Sequence, residues 1–268
     1  MMNIVLAADL RMAEQVLTVI KSVCYHNQNV CFYLLHKEYS PEWFALLNRY
    51  LVKINCEIKS IPIDATLPEI FKVPHLSEAA LYRLIIDQVV DKKALYLDCD
   101  IVVTANLQEL YQTDISHYYV AAVDDAFIAQ TDDHYYLEFP DMKPYFNSGV
   151  LLINAEKWRE NDVLTKSVKM LNEYNFIYAD QDMLNILFVK QWLQLDPSYN
   201  FQCHAQYALS EENWQAYRQS ISGIPKIIHY TSGFKPWKNS VECPFREQYW
   251  FYYGLEWNDI IRHHQQAV

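Results

Sequence analysis

A chain of 268 residues with 51% hydrophobic content has ample material for one large folded domain and too little polarity for disorder. Its 22 Lys and Arg against 33 Asp and Glu give a net charge of −11, which repels a phosphate backbone and argues against nucleic acid as a partner. Six cysteines form no C-x-x-C pair and read as reduced, mostly buried thiols. The opening "MMNIVLAADL" has no basic n-region, and no apolar run approaches a membrane span, so the expected setting is cytoplasmic.

In chain order, "NIVLAA" (3–8) reads as a strand, and Val16, Val19, Ile20 and Val23 then recur at helical spacing. "VCFYLL" (30–35) is a second strand, followed by Ser40 and Pro41 as an N-cap and first helical residue. "CEIKSIPI" (56–63) is a third strand. Ser77 is placed to cap a helix with Leu81, Leu84, Ile85 and Gln88 on one face. "ALYL" (94–97) enters as a buried strand. Later strands are "YYVAAV" (118–123), "GVLLIN" (149–154), "WLQL" (192–195) and "KIIHY" (226–230), with helices near 162–175, 181–190 and 211–219. Strand–helix alternation predicts an α/β fold with a mostly parallel central sheet and helices on both faces. The expected organisation is one domain over 1–243, with a small aromatic-rich C-terminal extension over 244–268.

The chain holds only Gly149, Gly223, Gly233 and Gly254, so neither G-x-G-x-x-G nor a P-loop can form. Any nucleotide must be held by other means. Aromatic residues make up 15% of the chain, which serves either core packing or stacking on sugars and bases.

The run "ALYLDCDIVV" places Asp98 and Asp100 at a carboxyl end of the sheet, where open α/β folds bind ligands. Two hard oxygen donors one residue apart suit Mg²⁺ or Mn²⁺; solvated loop carboxylates are the alternative. Strand alternation turns Cys99 away from such an ion, with its backbone near the ligand. In "IIHYTSGFKPW" (227–237), His229 stands at another strand end, either as a third ligand or as a satisfied core histidine. Gly233 would make a tight turn, and Lys235 would neutralise a diphosphate. Asn147 and Ser148 in "FNSGVLLIN" offer hydrogen bonds to sugar hydroxyls, or simply a turn. "YADQDMLN" puts Asp180, Gln181 and Asp182 at a helix start, where a cap accounts for one aspartate but not both. Arg83 faces either this site or solvent.

The stretches "NIVLAAD", "YRL", "LYLDCDIVV", "FNSGVLLINAEKW", "DQDMLN" and "HYTSGFKPW", spanning 3–237 in this order, resemble glycosyltransferase family 8. These are retaining enzymes that include bacterial lipopolysaccharide galactosyl- and glucosyltransferases. The resemblance implies a GT-A fold, a UDP-sugar donor (UDP-galactose or UDP-glucose), Mn²⁺ or alternatively Mg²⁺, and a glycan acceptor such as a surface polysaccharide or lipooligosaccharide. It makes Asp98, Asp100 and His229 the metal ligands and assigns Ala7, Ala8 and Asp9 to the donor site, the last two to its uridine part. Arg83, Cys99, Asn147, Ser148, Asp180 and Gln181 would surround the donor, with Gly233 and Lys235 at the pyrophosphate. Gln181 matches the position where a nucleophile would stand. An amide is a poor nucleophile, so front-face attack assisted by the leaving UDP accounts better for retention.

Two departures stand out. Arg11 and Met12 replace the asparagine and uracil-stacking tyrosine of many relatives, and the C-terminus keeps the aromatics but few of the cations of membrane-binding tails, which implies at most weak peripheral contact at the inner face of the membrane. Two other readings compete. "LYLDCDIVVT" also fits a haloacid-dehalogenase-like phosphatase with Asp98 as nucleophile, and a non-catalytic sugar-nucleotide-binding protein would account for Arg11 and Met12. The acceptor loops, expected around 72–79 and 124–145, carry no readable code.

Overall fold

A computed structural model of the chain describes residues 1–63, 81–128, 139–233, 235–238 and 243–266. Ser77, the loop 72–79 and much of the loop 124–145 lie outside them. The first half builds β1 (Met2–Ala7), α1 (Ala13–His26), β2 (Val30–His36), α2 (Pro41–Leu51), β3 (Glu57–Pro62), α3 (Ile86–Val89), β4 (Lys93–Leu97), β5 (Ile101–Val103) and α4 (Gln108–Gln112). The second half adds β6 (Val120–Ala122), β7 (Val150–Asn154), α5 (Ala155–Glu160), α6 (Val163–Glu173), α7 (Ala179–Leu187), β8 (Trp192–Gln194), β9 (Phe201–Gln202), α8 (Ala205–Ala208), α9 (Glu211–Gln219), β10 (Ile227–His229), α10 (Arg246–Gly254) and α11 (Trp257–Gln266).

The central sheet runs β3-β2-β1-β4-β7-β6-β8. All its pairs are parallel except those of β7, which is antiparallel to both β4 and β6. Period-two alternation divides its side chains between two cores. Ile4, Leu6, Leu95 and Leu97 pack with Val16, Val19, Ile20 and Val23 of α1. Val5, Tyr96, Leu151 and Ile153 pack with Leu84, Trp158 and Leu184 on the other face. The expected cap of α2 is present, with Ser40 Oγ accepting from Trp43 N at 3.3 Å.

The helix expected around 81–88 is instead a 3₁₀ turn, Tyr82–Ile85, followed by the short α3. Leu81, Leu84 and Ile85 are buried while Gln88 is exposed, because this tighter winding moves the fourth residue off the shared face.

A second sheet, β5-β10-β9, grows where β4 ends. The Asp98–Asp100 turn carries the chain out of the central sheet, and β10 then pairs antiparallel to β5 with His229 opposite Ile101. The segment after 244 forms α10 and α11, which close over α1. Ile260 and Ile261 are buried there, Tyr25 stacks on His263 at 4.1 Å, and His26 Nε2 meets Tyr252 Oη at 2.7 Å. No helix among the described residues is long and apolar enough to cross a membrane.

Candidate active site

The site begins with the turn at the end of β4. Asp98 N donates to Gly149 O at 2.8 Å, so the first carboxylate is tied to the start of β7. Its Oδ1 accepts from Tyr96 Oη at 2.7 Å and Arg83 Nη2 at 3.0 Å. Asp100 is fixed from the other sheet: its carbonyl accepts from Tyr230 N at 2.9 Å, and its Oδ2 pairs with Lys235 Nζ. Between them Cys99 turns back into the main core, its thiol toward Ala7 O at 3.3 Å, and burial pushes that thiol well up. The cysteine is a packed spacer.

His229 Nε2 lies 3.3 Å from Asp100 Oδ1 and 3.8 Å from Asp98 Oδ2. The three residues present ligand atoms all within 4.8 Å of one another. Two carboxylates and one imidazole nitrogen match the donor preference of Mn²⁺ or Mg²⁺, and His229 Nδ1 is already engaged by Asn200 Oδ1 at 3.0 Å, which aims Nε2 at the carboxylates. Burial works against the Asp100 charge, but Lys235 and His229 outweigh it and hold the carboxyl well below its usual range. Gly149 is small for a local reason: a Cβ there would stand 2.1 Å from His229 Cε1 and 2.8 Å from Asp98 Oδ2.

Arg83, on the 3₁₀ turn, is buried and stacks over the Tyr96 ring at 4.5 Å. Besides Asp98 it pairs with Asp180 Oδ2 at 3.3 Å and donates to Ser148 O at 2.7 Å and Ser148 Oγ at 3.1 Å. Burial raises the Asp180 carboxyl against the pull of Arg83. Gln181 is held at both ends of its amide: Oε1 accepts from Ser148 N at 2.9 Å, and Nε2 donates to Asp125 Oδ2 at 3.1 Å. Asp182 does not point into the site. It accepts from Tyr178 N at 2.8 Å and Tyr145 Oη at 2.6 Å, bracing the start of α7.

Two cavities meet at Arg83, Asp98 and Asp100. One, of about 460 Å³, is lined by Asp125, Asn147, Ser148, Asp180, Gln181 and His229 among others. The second, of about 530 Å³, is bounded by Ala7, Ala8, Asp9, Arg11, Met12 and Tyr96. In the latter Asp9 Oδ2 pairs with exposed Arg11 at 2.7 Å. Gly233 behaves differently from its expectation. The left-handed residue of that turn is Ser232, with φ 65°, and a Cβ on Gly233 would meet nothing within 4 Å.

The description "Glycosyl transferase family 8" belongs to the family model that matches residues 3–240. The chain belongs to this family. Membership replaces the phosphatase reading of Asp98 and Asp100. Glycosyltransferase GlyA of Streptococcus pneumoniae is 39% identical, over 97% of this chain and 36% of that protein. General stress protein A of Bacillus subtilis is 29% identical, over 87% and 85%. Among solved structures, glycosyltransferase GlyE of Streptococcus pneumoniae superposes with a TM-score of 0.85 at 28% identity, covering 99% of this chain and 63% of that one. The galactosyltransferase LgtC, crystallised with donor and acceptor sugar analogues, gives 0.79 at 27%, covering 94% and 95%. The fold is therefore GT-A, as the family 8 resemblance implies. The chain spans 36% to 63% of the length of the first curated relatives it matches.

The structure thus brings Asp98, Asp100, His229, Arg83, Asn147, Ser148, Asp180, Gln181 and Lys235 to one place, with Ala7, Ala8 and Asp9 across the adjoining cavity. Sequence reasoning missed Asn200 and Asp125. Neither sits in a recognisable spacing, and each works through a hydrogen bond to a residue far away in the chain.

Proposed function

We propose that the chain transfers a hexose, galactose or glucose, from a UDP-sugar to a glycan acceptor with retention of configuration, in a Mn²⁺-dependent reaction. The observation that carries this reading is the Asp98, Asp100 and His229 cluster at the junction of two cavities, one suited to a nucleotide and the other to its sugar. Asp98, Asp100 and His229 would hold the ion, which when bound would supply the Lewis acidity that offsets negative charge on a UDP leaving group. Lys235, beside Asp100, adds a fixed positive charge on the same side. Asp180, Asn147 and Ser148 line the sugar cavity with acceptors and donors for hydroxyls.

Retention by a covalent intermediate would need a nucleophile at Gln181. Its amide oxygen is committed to Ser148 N, and an amide is weak in that role, so the reading favours front-face attack within the ion pair of UDP and sugar. A bacterial surface glycan is the proposed acceptor. Trp250 and Phe251, exposed on α10, are the groups proposed for weak membrane contact.

The test combines two measurements. With UDP-galactose and UDP-glucose offered separately, Mn²⁺ should support UDP release from one of them and a chelator should abolish it. NMR of the transferred sugar should show the donor's own anomeric configuration. Chelator-insensitive turnover or an inverted product would sink the proposal.

A further inference from the structure

We infer that Asn200 is a positioning residue for His229, the last link of a hydrogen-bond chain whose direction is set by Asp125 and which keeps the proton of His229 on Nδ1. The inference rests on the metal reading above only where it concerns Mn²⁺ affinity. Asp125 accepts four hydrogen bonds: Oδ1 from Phe127 N at 3.1 Å and Ile128 N at 3.0 Å, and Oδ2 from Asn147 Nδ2 and Gln181 Nε2, each at 3.1 Å. A carboxylate so placed offers no donor, so Asn147 must turn its amide nitrogen toward it. Asn147 Oδ1 then faces the other way, where it accepts from Gly149 N at 3.0 Å and Asn200 Nδ2 at 2.9 Å.

The backbone N–H of Gly149 fixes this orientation independently, since it cannot act as an acceptor. Asn200, having spent its nitrogen on Asn147, presents Oδ1 to His229 Nδ1 at 3.0 Å. An oxygen there demands a proton on Nδ1, and Nε2 is left to face Asp98 and Asp100. Asp125, Asn147, Asn200 and His229 are all buried, so losing the Asn200 amide leaves both Asn147 Oδ1 and His229 Nδ1 short of a partner. The same Asp125 Oδ2 holds Gln181, so one carboxylate orients both the metal-facing imidazole and the amide in the sugar cavity.

Two readouts test this. In ¹H–¹⁵N spectra of the metal-free wild-type chain, Nδ1 of His229 should carry a proton, and it should keep it when diamagnetic Mg²⁺ is added. Mn²⁺ titration followed by electron paramagnetic resonance should then show Asn200→Ala binding about 10- to 100-fold more weakly. Asn200→Asp keeps an acceptor for Nδ1 but sets a carboxylate oxygen against Asn147 Oδ1, so the proton should stay on Nδ1 while the link back to Asp125 is lost. An unprotonated Nδ1 in the wild type, or a folded Asn200→Ala with wild-type Mn²⁺ affinity, overturns the inference. Should the wild type bind neither ion, the metal reading fails, and the proton on Nδ1 alone decides the hydrogen-bond chain.

Discussion

The two cavities that share Asp98 and Asp100 are built on opposite principles. On the proposed sugar side, Asn147, Asp180, Asn200 and His229 are buried in a polar network that reaches Arg83 at the shared edge, where the arginine side chain is 5% exposed. On the proposed nucleotide side, the chain after β1 leaves the sheet in a 3₁₀ turn, and the Arg11 side chain, paired with Asp9, is 84% exposed. A buried polar network cannot trade one residue for another without stranding a partner, whereas a solvated ion pair can. The proposed nucleotide side can therefore tolerate exchange at Arg11 and Met12, the positions where the resemblance implies an asparagine and a tyrosine.

Substitutions should sort accordingly. The largest effect is expected at the shared edge: Asp98→Asn or Asp100→Asn should lower transfer by at least about 10³-fold while circular dichroism stays native-like. Gly149→Ala comes next, because its methyl enters the space of His229 and Asp98, and transfer should drop by at least about 10²-fold together with Mn²⁺ affinity. Arg83→Met should destabilise the chain by about 3–5 kcal/mol in urea unfolding, since Asp180 and Asp98 lose their shared cation in a buried setting. At the small end, Arg11→Ala should change the KM for the UDP-sugar by no more than about threefold and leave kcat alone. A large loss from Arg11→Ala, or a negligible one from Arg83→Met, would erase the contrast between the two sides.

The same contrast governs what could be read in the sequence. "ALYLDCD" was legible because an apolar run that ends in two acids has few ways to satisfy them, and "IIHY" because a histidine closing a buried strand needs a partner. The central sheet followed from short apolar runs set between helical patterns, down to "ALYL" and "WLQL". By contrast β5 and β9, with 3 and 2 residues, were not read as strands, since what makes them strands is their pairing with β10. Asn200 was invisible because its role comes from the parallel pairing of β9 and β10, which sets it beside His229. Asp125 was hidden for a similar reason: its four donors come from its own turn, the start of β7 and the start of α7. Lys235 was expected at a diphosphate, and its pairing with Asp100 could be seen only once β10 had placed the turn.

Asp98, Asp100 and His229 are proposed to form one metal site serving the nucleotide and the sugar together. Calorimetric titration of Mn²⁺ into the chain in the presence of UDP tests it most directly. Wild type should bind a single ion, and Asp98→Asn and Asp100→Asn should each lose that binding while remaining folded. Undiminished Mn²⁺ binding in both variants would rule out this metal site.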